Sequence, residues 1–208
     1  MPDQMLAVEN LHLWRGERHV LRGVTFSLGR GTCLEISGAN GSGKTTLLRT
    51  LCGLIYPEEG RVLWNGEDVR EDLSAFHASL AYLGHEPPLK SDLTPTENLH
   101  YWLGVRRLLG KGELLAALER VGARPFCERL VRTLSAGQRR RVALAALALL
   151  PVPLWLLDEP TTNLDVQGRE LVGELIAEQL ARGGMVVAAV HHGLPEAVRN
   201  VTRLDLAA

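Results

Sequence analysis

The fold of this chain is decided by a glycine-rich stretch of eight residues, Gly38-Ala39-Asn40-Gly41-Ser42-Gly43-Lys44-Thr45. It matches the pattern G-x-x-x-x-G-K-[ST] and lies between an apolar segment at residues 32–37 and a segment of helical periodicity at residues 45–54. Glycines let such a loop wrap closely around an anion, so that backbone N–H groups point at phosphate oxygens, and the following helix adds its positive N-terminal end. The pattern predicts a phosphate-binding loop between a buried strand and a helix.

The last residues of this stretch are predicted to bind a nucleoside triphosphate and its metal ion. Lys44 is expected to reach the β- and γ-phosphates, and the Thr45 hydroxyl is expected to bind Mg²⁺. Thr46, the next residue, is included among the nucleotide-binding residues. A chance match is the alternative, and the strand before the loop and the helix after it argue against chance.

An acidic pair, Asp158 and Glu159, follows the apolar run Leu-Trp-Leu-Leu at residues 154–157. A strand there delivers Asp158 to the C-terminal edge of the sheet, beside the phosphate-binding loop, where a carboxylate holds Mg²⁺ through water. Glu159 is then placed to polarise the attacking water. An isolated acidic pair at a strand end is more often a solvated turn or a helix cap, but its pairing with the loop favours the functional interpretation.

A third motif, Leu-Ser-Ala-Gly-Gln at residues 134–138, opens a predicted helix. Ser135 and Gln138 form the Ser-x-x-Gln pattern of a capping box, and Gly137 allows a ligand to approach the backbone closely. The N–H groups of the helix start are available for an anion. An ordinary helix start is the simpler explanation of the motif alone, and its position shortly before the acidic strand favours an anion site.

The composition is that of a globular chain with no overall preference for nucleic acid. The 208 residues are 46% hydrophobic and carry a net charge of −1. The three cysteines lie far apart and form no metal-binding or disulfide pattern, which fits a reducing compartment. The start has no signal-peptide pattern. The longest uncharged run, residues 142–157, contains Pro151 and Pro153, so we predict no membrane-spanning helix.

Periodicity predicts strands that alternate with helices. The predicted strands are short antiparallel strands in the first thirty residues, a hairpin at 61–69, and buried strands at 32–37, 79–84, 154–157 and 185–190. Four helices are predicted after the buried strand at residues 79–84. The first begins at the capping box of Thr94, Pro95 and Glu97, the second covers residues 113–121, the third runs from Ser135 to Pro151, and the fourth covers residues 165–182. This alternation indicates an α/β fold with a parallel sheet, divided in sequence by a helical insertion.

Together the motifs resemble those of the ABC-type ATPases, the nucleotide-binding subunits of ABC transporters, and they follow the family's order across essentially the whole chain. The resemblance implies a P-loop NTPase fold of the ABC ATPase type, with an antiparallel β subdomain and an inserted α-helical subdomain. It implies a single domain over residues 1–208. The α/β core is expected at about 1–84 and 146–208, and the helical subdomain at about 85–145.

The resemblance also implies ATP and Mg²⁺ as cofactors and assigns roles to the motifs. The loop at residues 38–45 matches the Walker A motif, Asp158 matches the Walker B aspartate, and Glu159 matches the catalytic glutamate. The LSGGQ signature, with Ala136 in place of one glycine, is matched by Ser135, Gly137 and Gln138.

Three further matches are less specific, and each has a simpler structural explanation. Trp14 stands where the family has an aromatic residue that stacks on adenine, or it is a packing residue. His191 matches the switch histidine that senses the γ-phosphate, or it is a structural histidine. Asp165 ends the D-loop match at residues 163–165, and it is also suited to cap the following helix.

One position departs from the family pattern. The glutamine that normally follows the strand at residues 79–84 is missing, because residues 84–87 read Gly-His-Glu-Pro. His85 or Glu86 therefore stands in its place, and we include His85 with Thr45 and Asp158 as metal-binding residues. The change bears on the usual contact with Mg²⁺ and water and on the usual coupling to a membrane partner.

Local patterns also resemble one branch of the family, the cytochrome c maturation ATPases, which are subunits of a haem exporter; these patterns lie at residues 82–85, 90–94, 97–99 and 134–145. The resemblance implies integral membrane subunits and haem-handling proteins as partners, and a homodimer that closes head to tail on two ATP molecules. It implies a cytoplasmic location, peripheral on the inner face of the cell membrane, with a docking groove near residues 85–93. Two alternatives stay open: an ABC ATPase for a lipid, drug or ion, and an ATP-dependent interaction module with little turnover.

Overall fold

Strands and helices alternate along the chain, and the computed structural model describes them over residues 4–104 and 109–206. The strands are Gln4–Arg15 (β1), Arg18–Gly29 (β2), Cys33–Ser37 (β3), Glu59–Trp64 (β4), Glu67–Asp68 (β5), Leu80–Leu83 (β6), Leu154–Asp158 (β7), Met185–Ala189 (β8) and Val201–Asp205 (β9). The α-helices are Lys44–Leu51 (α1), Leu73–Ala78 (α2), Pro95–Gly104 (α3), Lys111–Arg120 (α4), Ala136–Leu149 (α5) and Val166–Ala181 (α6). Two 3-10 turns, Arg124–Phe126 and Val131–Thr133, lie between α4 and α5. In these two ranges, no helix has the length and apolar character needed to cross a bilayer.

The first sheet is antiparallel, with the strand order β2-β1-β4-β5. The predicted antiparallel pairing is confirmed, but the prediction that the first strands are short is wrong, because β1 and β2 each have 12 residues. Register shifts, one of them beside Asn10 at φ 48°, let the pairing continue past irregular positions. The hairpin predicted at residues 61–69 is formed by β4 and β5 around Asn65 and Gly66.

The second sheet is parallel, with the strand order β6-β7-β8-β3-β9. Its first four strands in this order are the predicted buried strands, which are confirmed. The sequence does not predict β9, because this edge strand exposes most of its side chains and lacks an apolar run. Parallel strands end at the same edge of a sheet, so this edge holds both the loop after β3 and Asp158 at the end of β7.

The parallel sheet is buried on both faces, because alternate side chains of a strand point to opposite sides. Leu154 and Leu156 of β7 pack in one hydrophobic cluster with α1 and the antiparallel sheet. Trp155 and Leu157 of the same strand pack in a second cluster with the helices α3 to α6. The sheet therefore separates two hydrophobic clusters that hold its strands in place.

The helix starts follow the capping signals of the sequence. The Thr94 hydroxyl accepts a hydrogen bond from the Glu97 N–H while the Glu97 carboxylate accepts one from the Thr94 N–H, and Ser135 and Gln138 form the same reciprocal pair. Both predicted capping boxes are confirmed. The sequence does not predict α2, because its six residues are too few to establish a helical period. Helix α5 continues past residues 145–146, so it extends on both sides of the boundary predicted there.

Replacing Leu156 by Ala tests the core facing α1. Leu156 is 0% exposed, and removing a leucine side chain from such a site costs about 2–5 kcal/mol of unfolding free energy. Urea denaturation followed by circular dichroism measures the loss. The control is Leu54→Ala, because Leu54 is 61% exposed and its loss is expected to stay within about 0.5 kcal/mol. Equal losses in the two variants would contradict the burial of β7.

Candidate active site

The loop between β3 and α1 needs glycine at its first position. Gly38 has φ 141°, and a Cβ atom there would lie 2.6 Å from the Ser42 Oγ and 2.7 Å from the Leu206 carbonyl oxygen. Gly43, at φ 109°, precedes the first residue of α1. The loop therefore follows a path that other residues do not readily adopt, with the N-terminus of α1 at its end.

Lys44 holds the loop from inside. Only 6% of the residue is exposed, and its Nζ donates hydrogen bonds to the carbonyl oxygens of Gly38 at 2.7 Å and Ala39 at 3.1 Å. The ammonium group thus lies within the curve of the loop. The Ser42 Oγ is buried here and has no hydrogen-bond partner, which fits a loop that receives a ligand oxygen, because buried polar groups are normally paired.

A cavity of about 280 Å³ lies beside the loop and brings distant parts of the chain together. Its lining residues are Arg15, Arg18, Val20, Asn40, Gly41, Gly43, Lys44, Thr45, Thr46, Glu159 and His191. Sequence reasoning misses the two arginines, because they belong to the β1–β2 turn region and meet the loop only through tertiary packing. Arg18 Nη2 donates to the Gly41 carbonyl oxygen at 2.7 Å, which adds positive charge to the cavity.

Trp14 lies at the end of β1, outside the set of residues that line this cavity. Its ring stacks on His19 of β2 with a centroid distance of 3.9 Å and an interplanar angle of 7°. His12 adds a third ring, 5.8 Å from Trp14 and 5.1 Å from His19. One face of the indole is therefore covered by a histidine, and adenine stacking by Trp14 stays a prediction.

Asp158 ends β7 with only 1% of the residue exposed. Burial raises the pKa of its carboxyl above the usual range, and a hydrogen bond with Thr45 opposes this rise. The Asp158 Oδ2 is buried and has no hydrogen-bond partner. A buried carboxylate oxygen beside a threonine hydroxyl fits a hard divalent cation, which prefers oxygen ligands.

Glu159 joins two histidines at the mouth of the cavity. Its Oε1 lies 2.8 Å from the Nε2 of His191, and its Oε2 lies 3.6 Å from the Nε2 of His85. The Thr162 hydroxyl donates to Oε2 at 3.1 Å. The structure thus brings together Glu159, His191 and His85, which is one of the two residues that stand in place of the expected glutamine. In residues 4–104 and 109–206, no three His, Cys, Asp or Glu side chains are grouped to hold a metal ion.

The signature residues lie outside the cavity lining. Gly137 packs against the D-loop, since a Cβ atom at residue 137 would lie 2.6 Å from the Asn163 carbonyl oxygen. Asp165 accepts hydrogen bonds from the Gly168 N–H, at the start of α6, and from the Nη2 of Arg141. The predicted helix cap at Asp165 is confirmed, and its role toward nucleotide stays a prediction.

The family described as ABC transporter matches residues 21–162 of this chain. The chain belongs to this family. The cytochrome c biogenesis ATP-binding export protein CcmA of Methylococcus capsulatus is 46% identical over 93% of this chain and 94% of its own length. The protein of the same name from Yersinia pestis is 41% identical over 98% and 93% of the two chains. An ABC transporter ATP-binding protein from Pyrococcus furiosus, a solved structure, has a TM-score of 0.83 at 25% identity and covers 97% of this chain and 96% of its own.

These matches confirm the ABC ATPase fold and the identification of the chain as an ATP-hydrolysing subunit. ABC ATPases act with the membrane subunits of transporters. The sequence motifs of this ABC ATPase lie in three parts of the structure: the loop around Lys44, the strand end at Asp158 and the cluster at Glu159.

Replacing Gly38 by Ala is expected to weaken ATP binding about 10- to 100-fold, because strained backbone costs about 1–3 kcal/mol and the new Cβ displaces the loop. Isothermal titration calorimetry measures the affinity. The matched control is Gly66→Ala, which also has a positive φ of 90° but has no atom within 4 Å of the new Cβ. Unchanged affinity in the Gly38 variant would contradict the role of this loop.

Proposed function

We propose that this ABC ATPase powers a transporter that exports or delivers haem for c-type cytochrome biogenesis. The observation that carries the proposal is the near full-length similarity, at 46% and 41% identity, to proteins named cytochrome c biogenesis ATP-binding export proteins. In this proposal the chain is peripheral on the cytoplasmic face of the membrane. It forms a single ABC ATPase domain that works with integral membrane subunits and haem-handling proteins.

ATP and Mg²⁺ are the proposed cofactors of the site. Lys44 and the loop N–H groups would bind the phosphates, and Thr45 and Asp158 would hold the Mg²⁺ ion, with His85 as the further proposed ligand. When bound, the ion neutralises the charge that develops on the phosphates. The partnerless Oδ2 of Asp158 and Oγ of Ser42 support this assignment, because ligand and metal contacts would satisfy both atoms.

Glu159 is the residue that we propose orients the attacking water and acts as its general base. Its carboxylate opens on the cavity and is held by His191 at 2.8 Å and by Thr162 at 3.1 Å. A carboxylate fixed in this way orients a water molecule and accepts its proton. His191 would hold the carboxylate and sense the γ-phosphate, and Trp14 would contact adenine through the face or edge that His19 leaves open.

A second copy of the chain is proposed to complete the site. Ser135 is exposed and Gly137 is partly buried at the start of α5, and the residues that line the loop cavity do not include them. Their helix N-terminus is suited to an anion. In a head-to-tail homodimer, Ser135, Gly137, Gln138 and Asp165 of one copy would meet the ATP held by Lys44 of the other copy.

The membrane subunit is proposed to dock at an apolar groove of about 330 Å³ beside β6. The groove is lined mainly by apolar and aromatic side chains, including Leu83, Pro88, Trp102 and Leu147. Leu83 ends β6 two residues before His85, which connects this surface to Glu159. An amphipathic segment of the membrane subunit matches the groove, because apolar grooves bind the apolar face of such helices.

The cargo assignment is tested by reconstituting the chain with the membrane subunits that co-purify with it. We expect haem to stimulate ATP hydrolysis in these vesicles, and a matched lipid, drug or ion panel to have no effect. Stimulation by one of those compounds instead would assign the transporter to another cargo. ATP binding without turnover, both alone and with the membrane subunits, would favour an interaction module.

Replacing Glu159 by Gln is expected to leave ATP affinity unchanged and to lower kcat about 10²–10⁴-fold, the range for loss of a general acid–base group. Steady-state phosphate release and ATP titration give the two quantities. Glu174→Gln on α6 serves as the control and is expected to retain full turnover. Normal turnover in the Glu159 variant would remove this residue from its proposed role.

Replacing Trp102 by Ala is expected to abolish the stimulation of ATPase activity by the membrane subunit while ATP affinity stays unchanged, because the side chain lines the groove and not the loop cavity. The stimulation is measured in vesicles with and without the partner. Phe26→Ala, in the antiparallel sheet, controls for the loss of a partly buried aromatic side chain. A parallel loss of ATP affinity would place Trp102 with the nucleotide site instead.

A further inference from the structure

Arg140 is a buried cation in the second turn of α5. Only 2% of the residue is exposed, whereas Arg139 and Arg141 on either side are partly exposed. A guanidinium group loses favourable hydration when it is buried, and this loss must be offset by hydrogen bonds or charge pairing within the protein. The position of this charge therefore requires a set of specific partners.

The partners of Arg140 are backbone carbonyl oxygens at the ends of two strands. A guanidinium group has five N–H donors, and five carbonyl groups accept from it here. Nη1 donates to residues 84 and 85 after β6, at 2.8 and 3.3 Å. Nε donates to residue 160 at 3.2 Å, and Nη2 donates to residue 158 at 2.8 Å and also to residue 159. One side chain thus ties α5 to the ends of both β6 and β7.

The backbone that Arg140 holds at β7 is strained at Glu159. Glu159 has φ 50°, a conformation that is unfavourable for a residue other than glycine and persists only where the surroundings fix it. Arg140 bonds the carbonyl groups of Asp158, Glu159 and Pro160, and the Glu159 N–H donates to the Ala189 carbonyl oxygen at 2.9 Å. The strained turn directs the Glu159 carboxylate toward His191.

The same guanidinium group also fixes His85. It bonds the His85 carbonyl group, while the His85 Nε2 lies 3.6 Å from the Glu159 Oε2. Burial lowers the pKa of Arg140 to about 10, and the charges of Asp158 and Glu159 oppose this shift. Arg140 stays charged at neutral pH and offsets the repulsion between these two carboxylates.

We propose that Arg140 is a positioning residue for ATP hydrolysis. It holds the backbones of Glu159 and His85 in the arrangement that the attacking water requires, and it links this arrangement to the helix that begins at Ser135. The proposal rests on the proposed hydrolytic role of Glu159. Lysine offers a single nitrogen and glutamine two N–H donors, so neither reproduces the five-donor fork.

The test compares Arg140→Lys and Arg140→Gln with the unmodified full-length chain. We expect kcat to fall about 100-fold in both variants, as a displacement of about 1 Å in a catalytic group does, while KM for ATP stays unchanged. Wild-type kcat in both variants would overturn the proposal. If the glutamine variant does not fold, the lysine variant, which keeps the charge, decides.

Two controls separate positioning from stability. Val142→Ala removes a fully buried side chain from the same helix and lowers stability without changing the five hydrogen bonds. A loss of kcat in this variant equal to that of the Arg140 variants, at matched melting temperature, would overturn the proposal. In the double variant Arg140→Gln with Glu159→Gln, we expect little further loss beyond Glu159→Gln, because coupled residues are not additive. Full additivity would also overturn it.

The unmodified chain distinguishes failure of this proposal from failure of the proposed function. If it binds and hydrolyses ATP and the Arg140 variants do the same, only the role of Arg140 is overturned. If it neither binds nor hydrolyses ATP with Mg²⁺, both proposals fall.

Discussion

The parallel pairing of β3 and β7 on either side of β8 is the constraint on which the site depends. Ala189 of β8 pairs with Ile36 on one side and with Asp158 on the other, so the three strands end level at one edge of the sheet. The glycine-rich loop at residues 38–43 leaves β3 there, and His191 follows β8. A slip of one residue would turn the Asp158 side chain to the opposite face. The relative positions of Lys44, Asp158 and His191 in the proposed ATP site therefore follow from the pairing of these strands.

Charges of both signs are buried near this edge of the sheet. The cations have hydrogen-bond partners within the protein, whereas one carboxylate oxygen has none. The ammonium group of Lys44 donates to two backbone carbonyl groups and the guanidinium group of Arg140 donates to five, so both cations are held in place by the protein. Asp158 keeps one buried oxygen without a partner. Interactions among such groups are strong because the interior screens charge poorly. The two cations are thus in position before a ligand binds, and the Asp158 carboxylate is available to a bound ion.

The sequence predicts the parts of the site whose conformation is local. The glycine-rich loop, the Ser135 capping box and the acidic end of β7 each follow from a few adjacent residues. The role of Arg140 is harder to predict from the sequence, although helical spacing places the residue on the buried side of α5 with Ala143 and Leu144. Its acceptors lie 18 to 56 residues away, and no local pattern specifies them. The stack of Trp14 on His19 likewise depends on strand register and bulges.

The separation of the two hydrophobic clusters by the parallel sheet has a consequence for how this protein can change. Side chains on opposite faces of β7 share no cluster, and energetic effects of residues that share no partners are close to additive. Substitutions among α3 and α4 therefore leave the packing beneath the nucleotide loop almost untouched. The helical side of the sheet can therefore change its side chains with little effect on the packing that supports the glycine-rich loop.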